Sequence, residues 1–304
     1  MSGRRTVSFL FVLASCLAAQ LSAQDLGPQF TRIKDGIYVQ SARDINSNAG
    51  IIVTSEGVVL IDSGHNPTDS RAVMDAVRKL TDQPVRFLID TEIHPDHTTG
   101  HFVFSPPAVI VSHTGAGEAM RKAFSPERVM NLMKQSPEMA TAAQGYSLVT
   151  PQVEYSGDKL TLHLGGKTLE VLYLKNVHSE ADSAIWLPED RVLFSASVAV
   201  PNQINVLRPF VTIPDMLSAM RMLKALNPEV VVPGHGLPGT AKIFDDEERY
   251  YALLMERVGA QVKAGKTLDQ IKAEVTMPEY AGWASQDRMP TNIEAAYRAV
   301  TGSN

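Results

Sequence analysis

The sequence contains little that would cross-link the chain or hold it in a membrane. Cys16 is the only cysteine among 304 residues, so no disulfide can form within the chain. The apolar run from Val7 to about Ala19 is too short for a transmembrane segment, which needs about 20 apolar residues. Lys and Arg (28) are fewer than Asp and Glu (33), which argues against a nucleic-acid partner held by charge. Because 44% of the residues are hydrophobic, a collagen-like, coiled-coil or mainly disordered chain is excluded.

The first residues have the composition of an export signal. Arg4 and Arg5 precede the apolar run, and a segment with small residues follows it and ends in Leu21-Ser22-Ala23. This order is typical of a bacterial secretory signal. We therefore predict a signal peptide over residues 1–23 and a periplasmic or secreted mature chain. Residues 13–16 also resemble a lipobox, so a lipoprotein anchored to the membrane through Cys16 is the alternative.

Short apolar runs alternate with amphipathic segments along the mature chain, which predicts an α/β fold. Strands are predicted at residues 36–40, 50–54, 58–62, 85–90, 159–164, 168–174, 183–187, 192–195 and 230–232. Helices are predicted at residues 69–80, 114–145 and 215–226, and from residue 243 onward with breaks at Gly265 and Pro278. Two strand–helix–strand segments, 58–90 and 192–232, are each followed by a histidine-bearing loop. Two similar halves that face each other would place these loops at one shared edge.

The loop after the strand at 85–90 concentrates potential metal ligands. Four of them lie within six positions: Glu92, His94, Asp96 and His97. Pro95 interrupts any regular helix or strand period that would spread them apart. Carboxylate and imidazole groups together suit Zn²⁺ and similar metals. His178 and His235 each follow another predicted strand, as site residues on loops commonly do.

From about Phe30 to Leu237 the chain resembles the metallo-β-lactamase superfamily. The motif of that family is H-x-H-x-D-H, followed by a histidine, a bridging residue after a strand, and a final G-H. The residues at those positions are Glu92, His94, Asp96, His97, His178, Ser197 and His235. The resemblance implies a four-layer αββα sandwich in one domain, residues 24–304. Its core would cover about residues 30–242, with a helical C-terminal extension over about residues 243–304.

The resemblance also implies a metal centre with one or two Zn²⁺ ions and a small-molecule substrate. The first ion would be held by Glu92, His94 and His178. The second would be held by Asp96, His97 and His235. Metal-bound hydroxide would attack an amide or ester carbonyl, with Asp96 and Ser197 as catalytic residues. Asp62 is similar to the family's carboxylate that orients a ligand without binding the metal.

Two positions depart from the family pattern. Glu92 replaces the first histidine, and its negative charge makes that metal a weaker Lewis acid, so a single ion at the second site is an alternative. Ser197 replaces the metal-bridging aspartate of many relatives, which favours amide or ester hydrolysis over phosphodiester hydrolysis. Val200 stands where related lactamases hold the substrate carboxylate with lysine. Candidates to replace that lysine are Arg208, Asn202 and Gln203.

Three functions are consistent with these residues. A β-lactamase is the first expectation, and a lactonase or esterase acting on another carbonyl compound is the second. The third is a metal-binding export protein without catalytic activity, for which Glu92 is the only indication. The sequence leaves the oligomeric state open, and it does not show whether the extension packs on the core or forms an oligomer contact.

Overall fold

The structure is a computed structural model that describes residues 25–41, 46–133 and 136–303. The expected signal peptide and Cys16 lie outside these residues. Among the helices that the structure describes, none combines the length and the apolar character needed to cross a membrane. The described chain forms two β-sheets that face each other, and helices cover the outer side of each sheet.

The first sheet contains seven strands whose order in space is their order in the chain. Their bounds are β1 Phe30–Lys34, β2 Ile37–Ser41, β3 Asn48–Thr54, β4 Gly57–Ile61, β5 Val85–Ile89, β6 Val109–His113 and β7 Val153–Tyr155. Strands β1 to β4 are antiparallel neighbours, whereas β4 to β7 run parallel. The change to parallel pairing requires crossover connections, and these carry helices and the ligand-rich loop.

The second sheet contains five strands in the order β12-β11-β10-β9-β8. Their bounds are β8 Lys159–Leu164, β9 Lys167–Tyr173, β10 Ser183–Leu187, β11 Val192–Phe194 and β12 Val230–Val232. Strands β8 to β11 are antiparallel, and β11 pairs with β12 in parallel. Both sheets therefore contain a parallel pair joined by a helix, β4–β5 and β11–β12, as the two strand–helix–strand segments predicted.

The helices divide between the two outer faces and the rim. Their bounds are α1 Pro67–Leu80, α2 Pro95–Thr98, α3 His101–Phe104, α4 Ala116–Ala123, α5 Pro126–Met133, α6 Pro137–Ala142, α7 Ile213–Ala225, α8 Lys242–Lys263, α9 Leu268–Glu274 and α10 Met289–Thr301. Helix α1 begins where Asn66 Oδ1 accepts bonds from the amides of Thr68 and Asp69, with Pro67 in the first turn.

Three buried clusters define the layers. Side chains from both sheets, such as Ile61 and Phe194, meet in the central cluster between the sheets. Val73 and Val77 of α1 pack on the outer face of the first sheet. Helices α7, α8 and α10 pack with Trp186 on the outer face of the second sheet. This arrangement confirms the four-layer αββα sandwich.

The C-terminal extension is part of the core. Phe244, Tyr250, Tyr251 and Leu254 of α8 are fully buried in the same cluster as α7 and the second sheet. Burial of each large apolar side chain contributes roughly 1.5–3 kcal/mol, so this segment stabilises the fold substantially. Packing on the core, left open by the sequence, is therefore what the structure shows.

Three strands, β1, β6 and β7, were not among the predicted ones. Strand β1 lies at the edge of the sheet and is mostly exposed, and β7 has only three residues. His113 ends β6, where its ring stacks on Tyr173 at 3.6 Å between centroids. The predicted helical region 114–145 contains α4, α5 and α6.

Candidate metal centre

The loop after β5 places four of the predicted ligands at one edge of the first sheet. Asp96 and His97 lie in the four-residue helix α2, which begins after His94 with Pro95 in its first turn. His97 is completely buried and Glu92 nearly so, whereas His94 and Asp96 are partly exposed. The loop thus points two ligands inward and two toward solvent.

Asp62 orients this loop from the end of β4. Its Oδ1 accepts the Thr91 amide at 2.7 Å, and its Oδ2 accepts the Thr91 hydroxyl at 2.6 Å. Oδ2 also lies 2.9 Å from His97 Nδ1, so the Nε2 atom of His97 faces the cluster. Asp62 adopts a left-handed backbone (φ 56°), a conformation that costs roughly 1–2 kcal/mol in residues other than glycine. The structure therefore agrees with the orienting role that the family resemblance implies for Asp62.

The second sheet supplies the remaining residues from the ends of its strands. His178 precedes β10, and its backbone amide donates to buried Asp182 at 2.6 Å. Ser197 follows β11, beside Ala196, whose backbone is also left-handed (φ 52°). His235 follows β12 in a loop that is held by the side-chain amide of Asn48. This amide donates to the backbone carbonyls of Pro233 and Gly236.

Gly234 allows the His235 loop to approach Ser197. A Cβ atom at position 234 would lie 3.0 Å from backbone atoms of both Ala196 and Ser197. This Cβ atom would also overlap Ser197 Oγ, so a side chain at position 234 would displace Ser197 or the backbone beside it. The glycine before the final histidine is therefore needed for the ligand-bearing loops to meet.

The predicted ligands gather into two adjacent groups of three, and within each group the donor atoms lie within 4.8 Å of one another. Glu92, His94 and His178 form what we call the first triad, and Asp96, His97 and His235 form the second triad. In the second triad, His97 Nε2 and His235 Nε2 are 3.2 Å apart. His235 Nε2 is 3.5 Å from Asp96 Oδ2.

Glu92 lies between the two triads. Its Oε2 is 2.5 Å from His94 Nδ1 and 3.3 Å from His178 Nε2. Its Oε1 accepts the Ser197 hydroxyl at 2.5 Å and is 3.4 Å from His97 Nε2. The Glu92 carboxylate therefore contacts histidines of both triads, which its position in the motif did not predict.

Electrostatics favour an ionised carboxylate at position 92. Burial alone would raise the pKa of Glu92, but His97, His178 and His94 hold it well below its usual value. For His97, burial is outweighed by the charges of Glu92 and Asp62, which raise its pKa to about 10. Burial lowers the pKa of His178 to about 3, so this imidazole is neutral, the form that binds a metal.

The donor set fits a tetrahedral metal. Ligand bonds of about 2.0–2.1 Å, as in zinc sites, place neighbouring donors about 3.3 Å apart. The separations of 3.2 and 3.5 Å in the second triad match this value. In the first triad, Glu92 and His178 match it at 3.3 Å, whereas the 2.5 Å contact of Glu92 with His94 is a direct hydrogen bond. By these distances the second triad is the better prepared of the two, and a metal that binds there must displace a proton from His97, whose pKa is raised.

Residues 42–235 match the sequence pattern of the Metallo-beta-lactamase superfamily. The chain belongs to this superfamily. The resemblance read from the motif is thereby confirmed, and the chain has the metallo-β-lactamase fold with a candidate metal centre.

Similar proteins within the superfamily have different activities. The chain is 24% identical over 278 residues to a linear primary-alkylsulfatase of Pseudomonas sp., covering 76% of this chain but only half of that protein. It is 28% identical over 207 residues to a type 2 metallo-β-lactamase of Bacillus sp., covering 64% and 68% of the two chains. A stereoselective inverting sec-alkylsulfatase from Pseudomonas sp. shares its fold with a TM-score of 0.69, at 19% identity, over 90% of this chain and 50% of that one.

Four of the six triad residues, His94, Asp96, His178 and His235, line a cavity of about 670 Å³. Of the three candidates for binding a substrate carboxylate, Arg208 and Gln203 line this cavity and Asn202 is not among the lining residues. His65 also lines it, beside Asp96. Sequence reasoning missed Arg288, which enters the cavity wall from the C-terminal extension. It lies 53 positions beyond the last motif residue, His235, and no local pattern in the sequence indicates it.

Proposed function

We propose that this protein is a metal-dependent hydrolase that opens an amide or ester bond, with a β-lactam ring as the first candidate substrate. The observation that carries the proposal is the pair of three-residue donor groups, each of which contributes two residues to the wall of one cavity. When bound there, Zn²⁺ would polarise a carbonyl and lower the pKa of a water molecule toward 7.

The residues of the centre would hold the metal ions or orient the groups that hold them. Glu92, His94 and His178 would hold the first ion, and Asp96, His97 and His235 would hold the second. Asp62 fixes the ring of His97 so that Nε2 faces the centre. Ser197 donates to Glu92, which orients the carboxylate between the triads.

A sulfate-ester hydrolase is the second candidate function. The similarity to the Pseudomonas alkylsulfatase sequence covers 76% of this chain, and arginines line the cavity above the triads. A lactone or another ester remains the alternative carbonyl substrate. Metal binding without turnover of any of these compounds would favour the non-catalytic alternative.

We also propose that the protein is exported from the cytoplasm. The leader over residues 1–23 supports a periplasmic or secreted enzyme, and Cys16 supports a lipid anchor as the alternative. Fractionation of cells that produce the full chain or its Cys16→Ala variant distinguishes these fates. A lipoprotein would move from the membrane fraction to the soluble fraction upon substitution, whereas a secreted protein would be soluble in both cases.

The test of function is a substrate panel measured together with metal content. The zinc-loaded protein would be assayed with a chromogenic cephalosporin, a series of lactones and carboxylic esters, and a short alkyl sulfate. We expect turnover of a carbonyl compound, one to two ions per chain, and loss of about one ion in His235→Ala. His163→Ala is the matched control, because His163 is exposed on β8. An alkyl sulfate as the only substrate would replace the carbonyl proposal, and full activity without metal would refute both.

A further inference from the structure

His65 lies on the wall of the cavity and belongs to neither triad. Its side chain is 32% exposed, and its Nδ1 atom is 3.9 Å from Asp96 Oδ2, which is too long for a hydrogen bond. His65 therefore adds an imidazole group beside the second triad that holds no metal ion in the proposed centre.

Ser47 determines which nitrogen of His65 carries the proton. The backbone amide of Ser47 donates to His65 Nδ1 at 3.2 Å, and a proton on Nδ1 would point at the proton of this amide. The Ser47 hydroxyl oxygen is 3.3 Å from the same nitrogen and donates its own proton to the Asp96 carbonyl. Since Nδ1 accepts a hydrogen bond, the ring is neutral and its proton lies on Nε2.

The loop that carries His65 is fastened to the loop that carries the ligands. The amide and the hydroxyl of Ser63 both donate to the His97 carbonyl, at 2.8 and 2.6 Å. The Ser63 hydroxyl oxygen also accepts the Gly100 amide at 3.0 Å. His65 is followed directly by Asn66, which caps α1. The backbone at position 65 is therefore fixed before a substrate binds, which an effective hydrogen-bond donor in an active site requires.

The Nε2 edge of the His65 ring is left for the cavity. Every hydrogen bond that the described residues make with His65 involves Nδ1. Nδ1 is turned toward Ser47, which is completely buried, so the exposed part of the ring is the opposite edge. His65 therefore presents an N–H group to a molecule in the cavity, beside Asp96 of the second triad.

A neutral N–H group at this place has a definite chemical use. Opening of an amide, an ester or a sulfate ester places negative charge on an oxygen or nitrogen atom of the substrate. A fixed donor stabilises this charge through a hydrogen bond and keeps its own proton. Because Nε2 already holds a proton, it cannot take one from water, so this residue is a donor and not a general base.

We propose that His65 is a catalytic residue that donates a hydrogen bond from Nε2 to the substrate atom on which negative charge develops. This proposal rests on the proposed function and adds to it a donor that binds no metal. The substrate must then place an oxygen or nitrogen acceptor beside the second triad, next to Asp96.

Three variants of His65 separate its two nitrogen atoms. In His65→Asn, the side-chain oxygen can still accept the Ser47 amide, but no group replaces Nε2. In His65→Gln, the longer side chain can bring an amide N–H group to the place of Nε2. His65→Ala removes both groups. His163→Asn is the matched control, because His163 is exposed on β8.

The first experiment measures kcat and KM of the zinc-loaded full chain with the substrate that the panel identifies. We expect kcat to fall about a hundredfold in His65→Asn and His65→Ala, with little change in KM, because the donor acts on charge that develops during the reaction. His65→Gln should keep part of the activity and His163→Asn all of it. Zinc content should equal that of wild type in every variant.

The second experiment needs no turnover and measures the binding of methylphosphonate by isothermal titration calorimetry. The tetrahedral anionic oxygens of this probe resemble those of a carbonyl compound under attack. Its Kd for the zinc-loaded protein should rise about tenfold or more in His65→Asn and His65→Ala, and less in His65→Gln.

Nuclear magnetic resonance of nitrogen-15-labelled histidine reads the tautomer directly. The signals of His65 are assigned by their loss in His65→Asn. We expect the proton on Nε2 in the zinc-loaded protein, and a change in the Nε2 chemical shift when methylphosphonate is added.

Other outcomes overturn the proposal. A proton on Nδ1 would contradict the arrangement with Ser47, and wild-type kcat and methylphosphonate affinity in His65→Asn would show that no donor is needed. Loss of zinc in His65→Ala would mean that His65 only supports Asp96. A silent substrate panel together with methylphosphonate binding that depends on His65 would refute the proposed hydrolysis and leave the donor at position 65 standing.

Discussion

Glu92 contacts four side chains of the candidate centre through its two carboxylate oxygens. A histidine at this position could not contact both triads in the same way, because its ring would present one nitrogen to the site. The negative charge of Glu92 also offsets the charge of any ion bound nearby. At the scale of single residues, this substitution is the main difference between the present centre and the usual motif of the superfamily.

Replacement of Glu92 by alanine should remove the first metal in preference to the second. The second triad keeps all three donors in this variant, whereas the first keeps only His94 and His178. Glu92→His should restore the usual ligand set and retain or raise activity at neutral pH. Metal content and competitive zinc titration measure both effects. Unchanged occupancy in both variants would show that Glu92 binds no metal.

Ser197 and His178 should differ sharply when each is replaced by alanine. Ser197 donates one hydrogen bond to a carboxylate, and a bond to a charged group contributes about 1.5–3 kcal/mol, so kcat/KM should fall by about ten- to a hundredfold. Loss of His178 removes a proposed ligand of the first metal and should lower kcat/KM far more. The values of kcat/KM for the two variants give the comparison. Equal abolition of turnover would mean that Ser197 is a nucleophile or a direct ligand.

At the scale of elements, α8 connects the C-terminal extension to the loop that carries Ser197. Glu247 of α8 is buried and accepts the Val200 amide at 3.2 Å. Its second oxygen has no partner among the described residues, and Tyr251 lies nearby with an unpaired hydroxyl. Burial raises the pKa of Glu247 to about 8, so the folded protein favours its neutral form.

The raised pKa of Glu247 determines how the free energy of unfolding should change with pH. Unfolded Glu247 ionises near pH 4.5 and folded Glu247 near pH 8, so its contribution to stability is present at low pH and is lost between these values. A glutamine side chain is neutral at every pH, so the Glu247→Gln variant should not lose this contribution to stability. Relative to wild type, its free energy of unfolding should rise on the order of a few kcal/mol from pH 5 to pH 8, since one pKa unit corresponds to about 1.4 kcal/mol.

Urea denaturation at both pH values measures this difference, and contributions shared by the two proteins cancel. Glu256→Gln is the matched control on α8, because Glu256 is exposed. Glu247→Gln carries an amide oxygen that can still accept the hydrogen bond from the Val200 amide. A constant difference between Glu247→Gln and wild type across the interval would show that Glu247 is not protonated in the folded state.

The elements of the centre were predictable where a local pattern determines them. Strands β4, β10 and β11 are short apolar runs that are buried along their whole length, and the sequence predicted them within one or two residues. Strand β1 escaped detection because its exposed edge position leaves little hydrophobic pattern. The motif assigned all six ligand-type residues, but the bridging position of Glu92 depends on tertiary contacts with Ser197 and His178.

At the scale of the whole molecule, two similar halves bring their loops to one edge, and the extension adds Ser285 and Arg288 to the cavity wall. The chain carries a net charge of −5, yet three arginines line this cavity. Net charge therefore did not predict the local environment of the site. Arg288 could not be found from the sequence, because its role depends on how the extension folds back across the domain.

The most direct test of the central claim is the recovery of activity as zinc is added to metal-free protein. The rate with the best substrate of the panel would be followed against zinc equivalents, with His235→Ala and the exposed control His163→Ala in parallel. We expect negligible activity without metal and a rate that rises with added zinc until one to two equivalents are bound. This rise in rate should be lost or strongly weakened in His235→Ala and unchanged in His163→Ala. Full activity of the metal-free protein, or a rate independent of added zinc, would contradict it.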